Sequence, residues 1–280
     1  MKNKDIFTFR DAEKQAGPVA FSTMLKPAGS ACNLDCHYCY YLDKAVQYGG
    51  RQAVMSDELL ELYVKQYIEA NEVPTVQFCW HGGEPLLLGV DFYRKAMALQ
   101  EKYAGGKKIE NILQTNGTLV DEAWCDLFAG NNFLVGISLD GPQDIHDAFR
   151  LTKGGRPTFE RVMRTIEMFQ RSGVEYNTLS VVNRLCEGRG GEIYRFFRDT
   201  VHSRYMQFLP AVEHVVDKPG FHRPLIVSPD REGSRLAEWS VTAKGYGEFL
   251  CDVFDVWVVS DVGRTFVQMF DATLAQWCGV

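Results

Sequence analysis

No stretch of the chain approaches the roughly eighteen consecutive apolar residues that a membrane-spanning helix needs. Residues 1–14 carry charge throughout and lack the apolar run of a secretion signal. Positive charge is also scarce: 30 Lys and Arg stand against 36 Asp and Glu, for a net charge of −6. Basic stretches are short, which excludes a surface built to coat nucleic acid. Internal repeats and low-complexity segments are missing, so solenoid, collagen-like and disordered classes drop out. What remains is 280 residues, 46% hydrophobic and 24% charged, the make-up of an ordinary soluble enzyme of one or two domains. The expected location is the cytoplasm, with no membrane and no nucleic-acid partner.

Short β-branched or aromatic runs alternate with longer segments of helical period, an α/β pattern. Strands are expected at 21–25, 75–80, 108–114, 133–139, 176–182 and 205–209, each separated from the next by room for a crossover helix. Ser56 can cap a first helix whose apolar stripe is Leu60, Tyr63, Val64, Tyr67 and Ile68. A second follows Thr158, with Phe159, Val162, Met163, Ile166 and Phe169 on one face and Gly173 placed to end it. Its polar face carries Arg161, Arg164 and Arg171, read as solvated. Such alternation makes a doubly wound sheet or a barrel, and both put ligands at the carboxyl ends of the strands. Four informative loops fall there: the cysteine cluster, residues 81–85, residues 115–117 and residues 140–142. Beyond residue 215 the text turns loop-rich, with Pro219, Gly220, Pro224 and Pro229, before a helical segment at about 242–260.

Three of the eight cysteines are crowded together. Cys32, Cys36 and Cys39 have three and then two residues between them, a spacing that arises by chance in fewer than about one in a hundred chains of this composition. Without an export signal these are expected to be thiols, metal ligands or redox groups rather than disulfides. Structural zinc needs four closed ligands and would have to recruit His37 or the remote Cys79. Three thiolates in one loop without a nearby fourth suit a [4Fe–4S] cluster with one iron left open. Cys79, Cys125, Cys186 and Cys251 read as small apolar fillers.

This loop resembles the signature of the radical S-adenosylmethionine (SAM) enzymes, which follows the first strand of a partial (β/α)₆ barrel of TIM type, with Tyr38 in the aromatic slot before the last cysteine. The resemblance implies that SAM chelates the open iron through its amine and carboxylate. One electron then breaks the C5′–S bond and releases a 5′-deoxyadenosyl radical. Gly82 and Gly83 would let backbone approach the SAM ammonium, with Glu84 adding negative charge; the alternative is a turn with a glutamate at a helix start. Ser138 and Asp140 could offer oxygens to the ribose, or Asp140 could simply end a strand. Arg150 resembles the family arginine that meets the SAM carboxylate, against a surface ion pair. Val212 matches an apolar adenine contact and could equally be core.

Met24-Leu25-Lys26-Pro27, residues 36–42, 81–86, 114–118 and 137–142 together are similar to the anaerobic sulfatase-maturating enzymes, over nearly the whole chain from Phe21. That similarity implies oxidation of a cysteine or serine in a sulfatase polypeptide to Cα-formylglycine, with electrons from a donor such as flavodoxin or ferredoxin. Tyr41 resembles a family tyrosine near the substrate, the catalytic candidate here, and could instead pack beside the loop. Relatives continue into a cysteine-rich region holding two auxiliary [4Fe–4S] clusters and an aspartate base. Cys278 resembles the first ligand there, and the stop at Val280 reads as a cut within a longer sequence. Auxiliary clusters and that base are therefore expected only in a longer chain, beyond residue 280. The implied organisation is a leader at 1–20, a radical SAM core at 21–215 and a loop-rich and helical linker at 216–280. Two other readings stay open: a radical SAM maturase forming a thioether or carbon–carbon crosslink in another peptide, and a non-catalytic iron–sulfur electron-transfer protein.

Overall fold

The computed structural model describes residues 8, 10, 17, 18, 20–42, 44, 54–217 and 224–279. Most of the expected leader, and Val280, lie outside the described residues. Six parallel strands pair in strict sequence order: β1 (Met24–Leu25), β2 (Thr75–Trp80), β3 (Lys108–Thr115), β4 (Phe133–Ser138), β5 (Glu175–Val182) and β6 (Tyr205–Pro210). Sequential order is the winding of a barrel, since a doubly wound sheet reverses its order at a switch point. Five of the six match the expected strands to within two residues. β1 is shorter than 21–25 because the Phe21 amide donates to Asn71 Oδ1 (3.1 Å) rather than to a ladder partner, and the Phe21 ring packs edge-on against Tyr67.

The intervening helices bury one stripe each. In α1 (Asp57–Ala70) Ser56 Oγ accepts from the Leu59 amide at 3.2 Å, and Leu60, Val64, Tyr67 and Ile68 face the sheet. Next come α2 (Val90–Tyr103), α3 (Glu122–Gly130) and the short α4 (Gln143–Phe149). α5 (Phe159–Ser172) stops at Gly173, which adopts φ +68° and closes the helix on the Phe169 carbonyl. Its start is not capped by the Thr158 side chain; Asp147 Oδ1 accepts from the Thr158 and Phe159 amides at 2.8 and 2.9 Å. Arg161, Arg164 and Arg171 are exposed, as a solvated face requires.

Past β6 the chain departs from its loop-rich reading. β7 (His214–Val216) pairs antiparallel with β8 (Leu225–Val227) and β9 (Arg235–Leu236). Val215 from this small sheet, with Ala237 and Trp239 from the segment after β9, packs with Leu34, Cys36, Tyr38 and Ala211, a second apolar cluster beneath the cysteine loop. α6 (Gly190–Arg195) then lies against α7 (Ala243–Ser260), which is capped by Thr242 Oγ1 and buries Gly245, Phe249, Val253 and Trp257 at every fourth position. A two-residue strand, β10 (Phe266–Val267), adds a seventh parallel member beside β6, and α8 (Gln268–Trp277) follows. Cys125 and Cys186 are sealed core fillers and Cys79 is half-buried. Cys251 corrects its expected role: it sits on the outward face of α7, exposed. No helix among the described residues is long and apolar enough to cross a membrane.

Candidate functional site

At the carboxyl ends of the strands lies a cavity of about 340 Å³. The cysteine loop forms one wall. It is pinned to the segment after α4, where the Asp35 amide donates to Leu151 O (2.8 Å), His37 N to Phe149 O (3.1 Å), and Leu34 bridges to Thr152. Held in this way, Cys32, Cys36 and Cys39 all line the cavity. Burial pushes the Cys32 thiol up to about 11 and the Cys36 thiol to about 12. The rivals for a zinc ligand are elsewhere: the His37 ring packs against Phe149 and Trp239, and neither it nor Cys79 lines the cavity. Among the described residues no three His, Cys, Asp or Glu side chains converge as one metal ion requires. Three thiols lining one cavity suit a polynuclear iron–sulfur group.

Gly82 and Gly83 reach the cavity at the end of β2, and their reason for being glycine is local. A Cβ on Gly83 would stand 2.0 Å from the Ala31 carbonyl oxygen, and Gly82 adopts φ +130° with Gly29 O only 3.0 Å from where its Cβ would be. The glycines thus let this loop lie flat on the cysteine loop, where Gly83 N donates to Gly29 O and Glu84 N to Ala31 O at 2.9 and 2.7 Å.

Two expected ligand contacts are corrected. Glu84 is fully buried and does not line the cavity: Oε1 accepts from Leu86 N (3.0 Å) and Thr115 Oγ1 (2.8 Å), Oε2 from Asn116 N (2.8 Å). It caps the turn at Pro85–Leu88 and ties it to β3, its carboxyl pushed up to about 7 by burial against those three donors. Asp140 is likewise sealed; Oδ1 accepts from Val181 N (3.0 Å) and pairs with Arg150 Nη2 (3.0 Å), while Oδ2 takes the Tyr38 hydroxyl. β4 ends at Ser138, so the alternation that would aim residue 140 inward stops there.

Ser138, Arg150 and Tyr38 do face the cavity. Ser138 Oγ accepts from Gln114 Nε2 at 3.2 Å. Arg150 is 7% exposed. Burial opposes its charge, and Asp140 together with Tyr38 and Cys36 more than offsets that, yet its Nε has no partner. A guanidinium on the wall of a cavity is a place for an acidic ligand group.

Val212 is a further correction, being 57% exposed and off the wall. The β6 alternation continues past Pro210, where Ala211 N donates to Val182 O, so Ala211 and Glu213 face inward and Val212 outward. Ala211 and Val181 supply the apolar wall. Tyr41 lines the mouth, with Lys26 Nζ 3.8 Å from its ring centroid. Cys278, exposed at the end of α8, is not part of the cavity. His81, Gln114, Asn116, Lys26 and Glu213 also line it and were not singled out from the sequence. All but Glu213 belong to motif runs already noted, and Glu213 adjoins Val212; an inward register was the missing signal. His81 Nδ1 accepts from Gly82 N at 2.8 Å, which leaves its Nε2 as the donor.

Residues 27–186 match the family model of the radical SAM superfamily. A serine-type anaerobic sulfatase-maturating enzyme of Bacteroides thetaiotaomicron is 47% identical over 91% of this chain and 62% of its own length. A cysteine-type counterpart of Clostridium perfringens is 35% identical over 90% of this chain and 65% of its own. Native anSMEcpe with bound AdoMet superimposes with a TM-score of 0.76 at 34% identity, covering 89% of this chain and 65% of that one. The chain therefore spans less than two thirds of these relatives. Spore photoproduct lyase, 12% identical with a TM-score of 0.55, shares the fold alone.

Proposed function

The chain belongs to the radical SAM superfamily, and from that premise we propose that it is a sulfatase-maturating enzyme, oxidising a serine or cysteine of a sulfatase polypeptide to Cα-formylglycine. Cys32, Cys36 and Cys39 would hold a [4Fe–4S] cluster, a role to which their soft, grouped thiols are suited. When bound, the cluster and SAM supply one-electron cleavage of the C5′–S bond and so a radical able to take hydrogen from carbon. Arg150, paired with Asp140 and lining the cavity, is suited to the SAM carboxylate. Ser138 offers a hydroxyl to the ribose, the Gly82–Gly83 backbone lies open to the ammonium, and Ala211 with Val181 gives a flat apolar wall for adenine. Tyr41, Lys26 and His81 at the mouth would meet the peptide. Tyr38 acts indirectly by fixing Asp140.

The supporting organisation is a core at 21–215 followed by a linker at 216–280, acting in the cytoplasm with a flavodoxin or ferredoxin as reductant; auxiliary clusters, with Cys278 as a first ligand, would belong to a longer chain. One observation carries the reading: three thiols, with no fourth among the described residues that line it, share a cavity with a buried arginine whose Nε is unpartnered. The test is anaerobic incubation of the reconstituted chain with SAM, dithionite and sulfatase-derived peptides carrying serine or cysteine. Release of 5′-deoxyadenosine is expected from this chain. In a longer chain carrying the auxiliary clusters and base, a new aldehyde should also form, the serine peptide losing two hydrogens and the cysteine peptide losing two hydrogens while its sulfur leaves as sulfide and water supplies the oxygen. Cys36→Ala should abolish both deoxyadenosine and aldehyde. Deoxyadenosine beside intact peptide in that longer chain would transfer the assignment to a maturase of another peptide. Cluster-loaded protein releasing none would overturn it.

A further inference from the structure

Asn116 stands where β3 enters the cavity, and its side chain is more constrained than substrate contact requires. Its Oδ1 accepts from the Thr118 amide (2.9 Å) and from Thr118 Oγ1 (2.7 Å). A flipped amide would set its NH₂ against that backbone N–H, so the orientation is fixed. The two Nδ2 protons have two acceptors: Asn33 Oδ1 at 2.9 Å and Cys32 Sγ at 3.8 Å. Asn33 Nδ2 in turn donates to Thr118 Oγ1 at 2.8 Å, which closes a ring of three side chains beside the Cys32 sulfur. The Asn116 amide is anchored on Glu84 Oε2, and the Leu34 amide approaches the same sulfur at 3.4 Å.

Resting on the reading that the three thiols hold a cluster, we propose that Asn116 sets that cluster's reduction potential by donating a hydrogen bond to the sulfur of Cys32. A cluster gains one negative charge when it accepts an electron, and part of that charge lies on its thiolate sulfurs. A donor aimed at such a sulfur stabilises the reduced form more than the oxidised one and raises the potential. Asn116 is thus a tuning and positioning residue with no reacting atom of its own. The burial of Glu84, Thr115 and Asn116, costly for any carboxylate, is then explained by what it holds still.

The test is a dithionite titration through mediator dyes, without SAM, following the reduced cluster by electron paramagnetic resonance in wild type, Asn116→Ala and Thr118→Val. Asn116→Ala should keep its iron and sulfide content and shift the midpoint to more negative potential. It should also lose one exchangeable-proton coupling to the reduced cluster. Thr118→Val, which keeps the Asn116 amide and its backbone donor but removes the hydroxyl that donates to Asn116 Oδ1 and accepts from Asn33 Nδ2, opens the ring and should shift the midpoint the same way by less. An unmoved midpoint in a loaded Asn116→Ala protein overturns the proposal. Should that variant take up no cluster, Thr118→Val decides: a negative shift supports it and no shift overturns it. Failure of the wild type to form any cluster is a different outcome, since it removes the functional reading beneath.

Discussion

Glu84 and His146 are both sealed among side chains, and their proton equilibria act in opposite directions on stability. Burial raises the Glu84 carboxyl from its ordinary 4.5 to about 7. The folded protein keeps this proton where the unfolded chain has released it, so the contribution is complete below about pH 4.5 and lost as the pH rises to about 7. Burial, aided by Arg150, holds the His146 imidazole well below its ordinary 6.5. Its contribution is present above about pH 6.5 and lost as the pH falls. Between pH 5 and 6.5 the two oppose, each with a slope of up to about 1.4 kcal/mol per pH unit. Urea denaturation across this window should therefore show Glu84→Gln losing stability more steeply on acidification than wild type, and His146→Gln gaining it. Parallel curves for the three proteins would contradict this. The same pair shows what a sequence hides at this scale. A carboxylate after a strand reads as a ligand for SAM, but only packing reveals that Glu84 and Asp140 turn away from the cavity to hold Asn116, Arg150 and Tyr38. The cysteines were legible because their spacing carries the chemistry by itself.

Among the elements, β2 to β6 and the helices with one clear apolar stripe were legible, since period and caps are local signals. β7, β8 and β9 were not: strands of two or three residues carry no period, and their registry comes from packing beneath the cysteine loop. The α6–α7 contact has a similar cause. A Cβ on Gly190 would lie 2.3 Å from the Phe249 carbonyl oxygen and 2.8 Å from Asp252 Cβ, so the two helices touch backbone to backbone. At Gly191 the nearest atom to such a Cβ is the flexible end of Arg195, at 3.3 Å. Gly190→Ala should cost about 1–3 kcal/mol in chemical denaturation by forcing the helices apart. Gly191→Ala should be neutral or stabilising by up to about 1 kcal/mol, from its better helix propensity. Equal costs would show that the close approach at Gly190 has no energetic weight.

Across the whole molecule, a parallel sheet wound in sequence order gathers the ends of its strands at one rim, so residues as distant as Cys32, Gly83, Ser138 and Ala211 border one cavity. The rim was legible from strand order alone; which side chains point inward was not, as the exchange of Val212 for its neighbours Ala211 and Glu213 shows. Everything proposed for this cavity depends on what its three thiols hold. Mössbauer spectroscopy of the anaerobically reconstituted chain, with iron and sulfide analysis, measures that directly. The account predicts a [4Fe–4S] cluster in which one iron changes its spectrum when SAM is added, and no cluster in Cys36→Ala. A protein that binds one zinc ion, holds no sulfide and stays colourless would contradict it.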